Sequence, residues 1–210
     1  SGGPVLELAA GTGRLTQHII DLGYNYTGID SSKQFLSFAK KKYKNYGNNV
    51  RFLHGDIRSF KLGKKFRFVF IGFNSFLHLL TNADAKECLR AIHYHLKDDG
   101  VFLLSIFIPN NSFLFRSKGQ YFPATDIFEY NGLRCKIMET NEYDELTQIN
   151  KIIWRLKRNN QLFGDKYYFN MRMYYPHEMD ILLGESGFSI KEKMGDYNGS
   201  PLNEKSKMQI

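Results

Sequence analysis

Two acidic side chains, Glu7 and Asp30, lie in or at the end of strand-like segments that flank a glycine-containing turn and the helix it opens. Glu7 lies in the apolar run 5–8, shortly before a turn with glycines at positions 11 and 13. Asp30 ends a second strand-like segment, 17 positions after Gly13. Glycines tolerate positive φ and let a ligand approach the backbone, and an acid at a strand end can accept hydrogen bonds from both ribose hydroxyls. The sequence therefore predicts a cofactor site at the carboxyl end of its first strand.

The composition of this turn separates two classes of cofactor. A dinucleotide site favours the spacing G-x-G-x-x-G, whose last small residue allows close helix packing under a pyrophosphate, but this chain has Thr16 at that position. Glu7 would also repel a pyrophosphate. S-adenosylmethionine (SAM) has no phosphate and carries an amino group and a sulfonium cation, so an acid is accommodated beside it. The residues thus favour SAM over a nicotinamide cofactor, although two glycines at this spacing also occur in ordinary turns.

Strands and helices are predicted to alternate along most of the chain. After the turn, apolar residues at helical spacing indicate a helix that ends at Gly23, and Tyr24–Asp30 follows as a second strand. Ser31 and Gln34 stand at the spacing of a capping box for the next helix. The remaining predicted elements are strands over 50–56, 66–73 and 101–108, a helix over 81–96 that Gly100 ends, and a helix from Pro176 to Gly187. This order indicates an α/β fold with a doubly wound, mostly parallel sheet.

The interval 121–175 breaks this alternation. Apolar and polar residues alternate at period two along three segments of it, which predicts an inserted set of antiparallel strands before the last helix. The apolar face of these strands is expected to pack in the protein interior. The other face is expected to meet water, an acceptor or another subunit, unless the strands simply cover the core sheet. That second face carries Arg155, Tyr168, Arg172 and Tyr174.

Four short segments of the chain match, in order, the sequence motifs of a known family. They are VLELAAGTGR at 5–14, GID at 28–30, HGDI at 54–57 and LKDDGVFLLSIF at 96–107. They resemble the motifs of class I SAM-dependent methyltransferases, and are similar in particular to those of small-molecule, sugar-amine N-methyltransferases. The resemblance covers nearly the whole chain and departs from the family at Ala9, where the first motif has a glycine. It implies a Rossmann-like sheet of seven strands, mostly parallel with the last antiparallel, in which 188–194 and 205–210 are the final two.

The resemblance also assigns the parts of SAM to residues of this chain. Glu7 and the turn 9–13 are implied to lie beside the methionine part. Asp30 and Ser31 are implied to hold the ribose. Asp56 and Ile57 are implied to frame the adenine, with Asp56 accepting from its amine and Ile57 packing on the ring. A helix N-cap is the alternative role of each of the two acids. Arg14 is expected either to pair with the methionine carboxylate or to point to solvent. The expected cofactor-binding residues are Glu7, Ala9, Gly11, Gly13, Arg14, Asp30, Ser31, Asp56, Ile57, Phe73 and Asn74.

The predicted fourth strand ends at a tip that carries Asn74 and His78. In the family this strand end brings the acceptor and the methyl group together. The residues FNSF stand here in place of the N-P-P-Y tetrad of enzymes that methylate base amines in nucleic acids, which argues against such an enzyme. His78 is a candidate general base, because histidine has an unperturbed pKa of about 6.5. A core or helix-surface histidine is the alternative.

A small amine or hydroxyl compound is the expected acceptor. We expect it between the strand tip 74–78 and the inserted strands, because the cofactor site does not require the insertion. Tyr121, Phe122 and Tyr174 are candidate walls, since an aromatic ring is apolar and can stabilise a cation. Packing under a cover sheet is the alternative for each of them.

The composition limits the number of domains and the classes of binding partner. The chain has 210 residues, 42% of them hydrophobic, which suits a single domain over 1–210 with 121–175 as an inserted subdomain. No stretch reaches the ~20 apolar residues of a membrane span. The net charge is +8, and a solvated lysine face on the helix near 33–44 is favoured over nucleic-acid binding. Cys88 and Cys135 form no C-x-x-C pattern, so we expect a reducing, cytoplasmic setting and no metal site.

Together these observations predict a SAM-dependent methyltransferase that methylates an N or O atom of a small molecule and releases S-adenosylhomocysteine. An RNA methyltransferase and a SAM-binding domain without catalysis are the alternatives, and a homodimer is left open. The chain begins almost at its first strand, whereas related enzymes have a helical segment before this strand that closes over SAM. We therefore expect the chain to be a fragment or to lack this lid.

Overall fold

The protein's structure, a computed structural model, describes residues 2–210 and consists of two compact units. The first unit comprises the chain up to Phe76 together with Thr81–Phe107 and Pro176–Ile210. The second unit comprises Leu77–Leu80 and Ile108–Tyr175. Strands pair in parallel in the main sheet of the first unit and antiparallel in the second. The α/β class is confirmed, with a separate antiparallel sheet.

Five parallel strands form the main sheet of the first unit. They are β1 (Gly2–Leu8), β2 (Tyr24–Asp30), β3 (Val50–His54), β4 (Phe66–Ile71) and β5 (Leu96–Leu104). Their order is β3-β2-β1-β4-β5, so the direction of winding reverses between β1 and β4. Open α/β sheets bind ligands at such a reversal, beyond the carboxyl ends of the strands. The helices of the chain are α1 (Thr16–Asp21), α2 (Lys33–Lys42), α3 (Asn82–His95), α4 (Asn111–Leu114) and α5 (Pro176–Glu185).

The core of the first unit lies on the central strands of this sheet. Leu6 and Leu8 of β1, Ile29 of β2 and Val69 of β4 have almost no exposed surface. Burying a side chain of this size contributes about 1.5–3 kcal/mol. Helix α3 buries residues spaced three or four positions apart on one face, namely Ala85, Cys88, Leu89 and Ile92. This packing fixes the strand ends at which the predicted site lies.

The predicted count of seven strands in one sheet is not confirmed. The last predicted strand shortens to β12 (Met208–Gln209), which pairs antiparallel with β6 (Ile106–Phe107) just beyond β5. Segment 188–194 forms no strand, because three charged residues from Lys191 onward interrupt its apolar alternation. Only Met194 of that segment exchanges backbone hydrogen bonds with Ile210, each 3.0 Å long. A cavity of about 740 Å³ lies beside β5, and its lining includes none of the predicted cofactor residues.

Two boundaries near helices differ from the prediction. Strand β5 begins at Leu96, so Gly100 lies inside a strand and does not end a helix. A Cβ at position 100 would lie 2.8 Å from the Leu96 side chain, which explains the glycine by close packing. Helix α2 is capped by Ser32, whose hydroxyl accepts the Phe35 N–H at 3.2 Å. The expected capping box starting at Ser31 is therefore wrong by one residue.

The predicted antiparallel strands are confirmed in the second unit. They are β7 (Phe122–Pro123), β8 (Phe128–Tyr130), β9 (Leu133–Asp144), β10 (Ile149–Arg158) and β11 (Gln161–Arg172). β11, β10, β9 and β7 are neighbours in that order, and β8 pairs with β9. Asn159 and Asn160 adopt positive φ of 46° and 62°, the geometry that a two-residue hairpin turn between β10 and β11 requires.

The residues expected on the second face of this sheet differ in their exposure. Tyr168 is exposed, whereas Arg172 and Tyr174 are buried. The Tyr174 hydroxyl donates to the Leu79 carbonyl, and the Arg172 guanidinium carbon lies 4.6 Å from the Tyr174 ring centroid. Arg172 also donates to the Gln148 side chain at 3.1 Å. Of the two alternatives left open for this face, packing therefore holds at Arg172 and Tyr174, and exposure to water holds at Tyr168.

No helix within residues 2–210 is long and apolar enough to cross a membrane. In the same range, no three His, Cys, Asp or Glu side chains are grouped so as to hold a metal ion. Cys88 and Cys135 are buried free thiols.

Candidate active site

The turn after β1 leaves open space beside its first glycine. Ala9 and Gly11 adopt positive φ of 58° and 56°, and a Cβ at position 11 would meet nothing within 4 Å. The left-handed geometry costs about 1–2 kcal/mol at Ala9. A 2.9 Å hydrogen bond from the Ala10 N–H to the Ile29 carbonyl holds the turn. The alanine at position 9 therefore preserves the turn, and a ligand can approach the backbone at Gly11.

Gly13 is required by packing. Its φ is 75°, and a Cβ there would lie 2.9 Å from both the Phe52 ring and the Thr16 hydroxyl. The Tyr43 hydroxyl donates to the Gly13 carbonyl at 2.9 Å. Gly13 is itself buried, so this glycine lets the turn and the start of α1 lie close to β3.

The carboxylate of Asp30 is held by two backbone groups. Its Oδ2 accepts the Gly11 N–H at 2.7 Å, and its Oδ1 accepts the Ser32 N–H at 2.8 Å. Ser32 is the N-cap of α2, so Asp30 does not take that role, and the Ser31 carbonyl lies 3.1 Å from His54 Nε2. Asp30 is 8% exposed. Each oxygen of an ionised carboxylate has two lone pairs, so one acceptor position on each remains for a pair of hydroxyls.

Glu7 is a buried acid supported by a tyrosine. It is 6% exposed and accepts the Tyr26 hydroxyl at 2.5 Å. Burial raises the pKa of Glu7 to about 7, an effect that the Tyr26 hydrogen bond and the charge of Arg14 offset only in part. A cation beside such a group stabilises its ionised form. Glu7 can therefore receive the positively charged part of a ligand, and Tyr26 is a contributor that the sequence analysis missed.

Asp56 is engaged by an arginine that the sequence analysis did not single out. Arg58 donates from Nε to both carboxylate oxygens at 3.0 Å and from Nη2 at 2.6 Å, and these bonds lower the pKa of Asp56. The Arg58 backbone N–H also donates to Asp56 Oδ1 at 2.9 Å, so the carboxylate forms a turn and does not cap a helix. Arg58 Nη1 donates to Asp84 at 2.6 Å. Ile57, between the two partners, is half-buried.

Two successive residues beyond β4 have left-handed backbone geometry. Phe73 has φ 54° and Asn74 has φ 67°. Such conformations cost roughly 1–3 kcal/mol each and persist where neighbouring groups hold them. The Ser105 hydroxyl accepts the Phe73 N–H and its carbonyl accepts the Asn74 N–H, both at 3.2 Å. Asn74 Oδ1 accepts the Phe107 N–H at 2.8 Å, and the Tyr197 hydroxyl lies 2.9 Å from the Ser105 hydroxyl.

Arg14 joins this tip to the first turn. Its guanidinium carbon lies 3.8 Å from the centroid of the Phe73 ring, a cation–π contact. Both side chains are exposed, so pairing with a methionine carboxylate and a solvent-facing position both stay open for Arg14. Among the predicted residues of the first unit, the structure thus links Gly11 to Asp30 and Arg14 to Phe73.

His78 belongs to the second unit. Its Nδ1 lies 3.2 Å from the Asn170 carbonyl, and its ring centroid lies 6.0 Å from that of Phe169. A carbonyl only accepts, so Nδ1 carries the hydrogen, and in the neutral ring Nε2 keeps a free lone pair. His78 is exposed, which excludes the core-histidine alternative.

The predicted aromatic walls have different surroundings. Tyr121 and Phe122 are half-buried, and the Phe122 ring lies 4.7 Å from the guanidinium carbon of Arg116. Tyr174 has no exposed surface. Packing therefore accounts for Tyr174, whereas the other two remain candidates.

Residues 5–100 match the family described as methyltransferase domain. The match spans β1 to the first part of β5 and includes the positions of Glu7, Asp30 and Asp56. This part of the chain is therefore similar to methyltransferase domains, and the resemblance seen in its sequence motifs is confirmed.

The relatives of this chain include N-methyltransferases. It is 30% identical over 100 residues to dTDP-3-amino-3,6-dideoxy-alpha-D-glucopyranose N,N-dimethyltransferase of Streptomyces fradiae, covering 48% of this chain and 38% of that protein. It is 27% identical over 198 residues to glycine/sarcosine N-methyltransferase of Aphanothece halophytica, covering 92% of this chain and 69% of that protein. The chain thus spans less than half the length of the first of these relatives.

A solved structure shares this fold along the whole chain. The CcbJ methyltransferase from Streptomyces caelestis has a TM-score of 0.82 at 23% identity, covering 100% of this chain and 82% of that one. A likeness at this identity shows the fold. The chain therefore has the Rossmann-like fold of methyltransferases, with a mostly parallel central sheet.

Proposed function

We propose that this chain is a SAM-dependent methyltransferase that methylates a nitrogen atom of a small molecule. One observation carries the proposal: the Asp30 carboxylate is held by the Gly11 and Ser32 N–H groups beside an open turn. A ribose diol fits the two remaining acceptor positions. The methyltransferase domain over 5–100 and the N-methyltransferase relatives support the same function.

The other residues of the first unit suit the remaining parts of SAM. We assign Glu7 to the positively charged methionine end, because its carboxyl group becomes more acidic when a cation lies beside it. Arg14, placed on the Phe73 ring, pairs with the methionine carboxylate. We assign Asp56 to the adenine amine, which would replace one half of the Arg58 Nε–H bond that the two carboxylate oxygens share, and Ile57 to a contact with the ring.

Methyl transfer from a sulfonium needs little help at the leaving group. The nitrogen lone pair attacks the methyl carbon in line, the N–C bond forms as the C–S bond breaks, and the electron pair returns to sulfur. The sulfur becomes the neutral thioether of S-adenosylhomocysteine. Holding the reactants in line can supply on the order of 7–11 kcal/mol of the barrier reduction. The protein's main contribution is therefore positioning.

The product nitrogen is cationic and loses a proton to a base. We assign this role to His78 Nε2, because the Asn170 carbonyl holds the hydrogen on Nδ1. A small-molecule acceptor and a reducing, cytoplasmic setting are part of the proposal, and the free thiols of Cys88 and Cys135 support the setting.

Incubation with SAM and a panel of amines tests the proposal. The panel holds amino sugars, amino acids and amino alcohols, with a structured RNA as a separate arm. Mass spectrometry should find at least one amine heavier by one methyl group, together with an equal amount of S-adenosylhomocysteine. Transfer to the RNA alone, or SAM binding without transfer to any acceptor, would contradict the proposal.

A further inference from the structure

A row of side chains runs through the second unit from His78 to Arg116. The His78 ring lies 6.0 Å from Phe169, whose ring meets Trp154 edge-on at 4.8 Å. Trp154 Nε1 donates to Glu139 Oε2 at 2.7 Å. Arg116 Nη1 donates to Glu139 Oε1 at 2.9 Å. The candidate base and this ion pair are thus the two ends of one continuous row of contacts.

Arg116 is a fixed donor group. Its guanidinium carbon lies 4.8 Å from the Phe113 ring centroid and 4.7 Å from that of Phe122. In the part of the chain that the structure describes, Glu139 is the hydrogen-bond partner of its guanidinium, so most of its five N–H groups remain unused. The Arg116 side chain is 21% exposed and that of Glu139 only 11%. A ligand in this unit would therefore meet the guanidinium before the carboxylate.

The charge of this donor group is already neutralised. Arg116 and Glu139 form a salt bridge of 2.9 Å that is mostly removed from water. A carboxylate ligand would gain from Arg116 but would be repelled by Glu139 at close range, and it would also lose its hydration. A hydroxyl loses far less hydration and can accept from the unused N–H groups. The pair therefore favours uncharged hydrogen-bonding groups over anions.

Two buried amide side chains near this pair, on β9 and β10, have unused hydrogen-bonding atoms. Asn141 Nδ2 donates to the Leu114 carbonyl at 3.1 Å and to Asn150 Oδ1 at 3.0 Å. Asn141 Oδ1 and Asn150 Nδ2 are buried and have no partner among residues 2–210. Buried polar atoms are normally paired, so these two amides indicate that a polar group of a ligand or a water joins them.

We propose that Arg116, neutralised by Glu139, recognises uncharged hydrogen-bonding groups of the acceptor, so that the enzyme prefers hydroxylated amines to amines that carry a carboxylate. Arg116 contacts the acceptor. Glu139 acts through Arg116 as a positioning residue that also cancels its charge, and Trp154 fixes the second oxygen of Glu139. This inference rests on the proposed methyl transfer and adds the residues that select the acceptor.

Two matched secondary amines test the selection. N-methylethanolamine and sarcosine carry the same methylamino group, and they differ in a hydroxyl against a carboxylate. We expect the wild-type kcat/KM to be at least about tenfold higher for N-methylethanolamine. Glu139→Gln leaves the charge of Arg116 uncancelled and should shift the ratio of the two kcat/KM values at least about tenfold towards sarcosine. Arg116→Gln leaves the charge of Glu139 uncancelled and should shift the ratio the other way.

Glu142→Gln is the matched control. Glu142 lies on the same strand and is paired at 2.9 Å with Lys118, but both partners are exposed, so its substitution should leave the ratio unchanged. A purely structural role of the Arg116–Glu139 pair would lower both kcat/KM values alike and contradicts the inference. A wild-type preference for sarcosine, or no transfer to either amine while other amines are methylated, contradicts it as well. Failure of every amine with SAM would instead overturn the proposed methyl transfer itself.

Discussion

The carboxylate of Asp30 accepts a 2.7 Å hydrogen bond from the backbone N–H of Gly11, 19 positions earlier in the chain. This bond ties the carboxyl end of β2 to the turn after β1, so the acid and the open turn are fixed relative to each other before a ligand arrives. A preorganised group loses less conformational freedom on binding than a mobile one. We therefore expect cofactor binding in the first unit to depend on this arrangement.

Alanine at the two turn glycines should have different effects. Gly13→Ala places a Cβ 2.9 Å from the Phe52 ring at φ 75°. Overpacking and left-handed strain should together lower the free energy of unfolding by about 2–4 kcal/mol. Gly11→Ala has open space, so it should cost only about 1–2 kcal/mol of stability, but its methyl group occupies space that SAM needs. Urea denaturation measures the loss of stability, and calorimetric titration with SAM measures the loss of cofactor affinity. Equal stability losses with unchanged SAM affinity in Gly11→Ala would contradict this account of the turn.

The free energy of unfolding should fall as the pH rises from 4.5 to about 7, because Glu7 titrates differently in the folded and unfolded chain. Burial raises the pKa of Glu7 from 4.5 to about 7 in the folded state. Between these values the folded state holds a proton that the unfolded chain has released, so rising pH favours unfolding, by about 3 kcal/mol in total. Glu7→Gln keeps an acceptor for Tyr26 and should remove this slope. Denaturation midpoints measured at several pH values test this dependence. If Glu7→Gln kept the same loss of stability with rising pH, Glu7 would not be its cause.

The same acid should make SAM binding depend on pH. A cation beside Glu7 favours its ionised form, so SAM should bind more tightly as the pH rises to about 7 and then level off. Glu7→Gln should bind more weakly and show a flat profile. Calorimetric titration at several pH values measures both.

The left-handed tip beyond β4 should depend on Ser105. Ser105→Ala removes the hydroxyl that accepts the Phe73 N–H and contacts Tyr197. We expect a loss of about 1–3 kcal/mol in the free energy of unfolding and a weaker affinity for SAM. Tyr197→Phe is the control, because it removes only one of the two contacts and should cost about 1 kcal/mol. Equal behaviour of the two variants would show that Ser105 does not hold the tip.

Much of the first unit could be predicted from the sequence because its signals are local. Strand β2 has the predicted bounds, and helix α5 begins at Pro176 as expected. The acid at the end of a strand and the glycine turn were recognised from residue type and spacing, and the structure brings Gly11 and Asp30 together.

The remaining features depend on tertiary contacts that spacing does not encode. No residue preference predicts left-handed geometry at Phe73, which the distant Ser105 holds in place. Tyr26 reaches Glu7 from the neighbouring strand, and the period-two pattern around Tyr174 does not reveal that this side chain is buried. The start of β5 at Leu96 was missed because a polar stretch separates it from the apolar part of the strand.

Substitution of His78 should affect turnover more than cofactor binding. His78→Gln removes the free Nε2 lone pair, and loss of a general base costs about 10²–10⁴-fold in kcat. SAM affinity should stay at the wild-type value, because His78 belongs to the second unit. Steady-state kinetics on the methylated amine, with calorimetric SAM titration beside it, measure both quantities. A wild-type kcat in His78→Gln would exclude the residue as the base.

Calorimetric titration of SAM against the wild-type chain, Asp30→Ala and Asp98→Ala tests the central claim most directly. Asp98 is a fully exposed acid of the same unit, paired loosely with Lys65 at 3.6 Å, and serves as the control. The wild-type chain and Asp98→Ala should bind one SAM per chain with the same dissociation constant. Asp30→Ala loses two hydrogen bonds to a charged group, worth about 1.5–3 kcal/mol each, so its dissociation constant should rise at least about a hundredfold. A wild-type dissociation constant in folded Asp30→Ala, or no SAM binding by the wild-type chain, would contradict the claim that this unit binds SAM through Asp30.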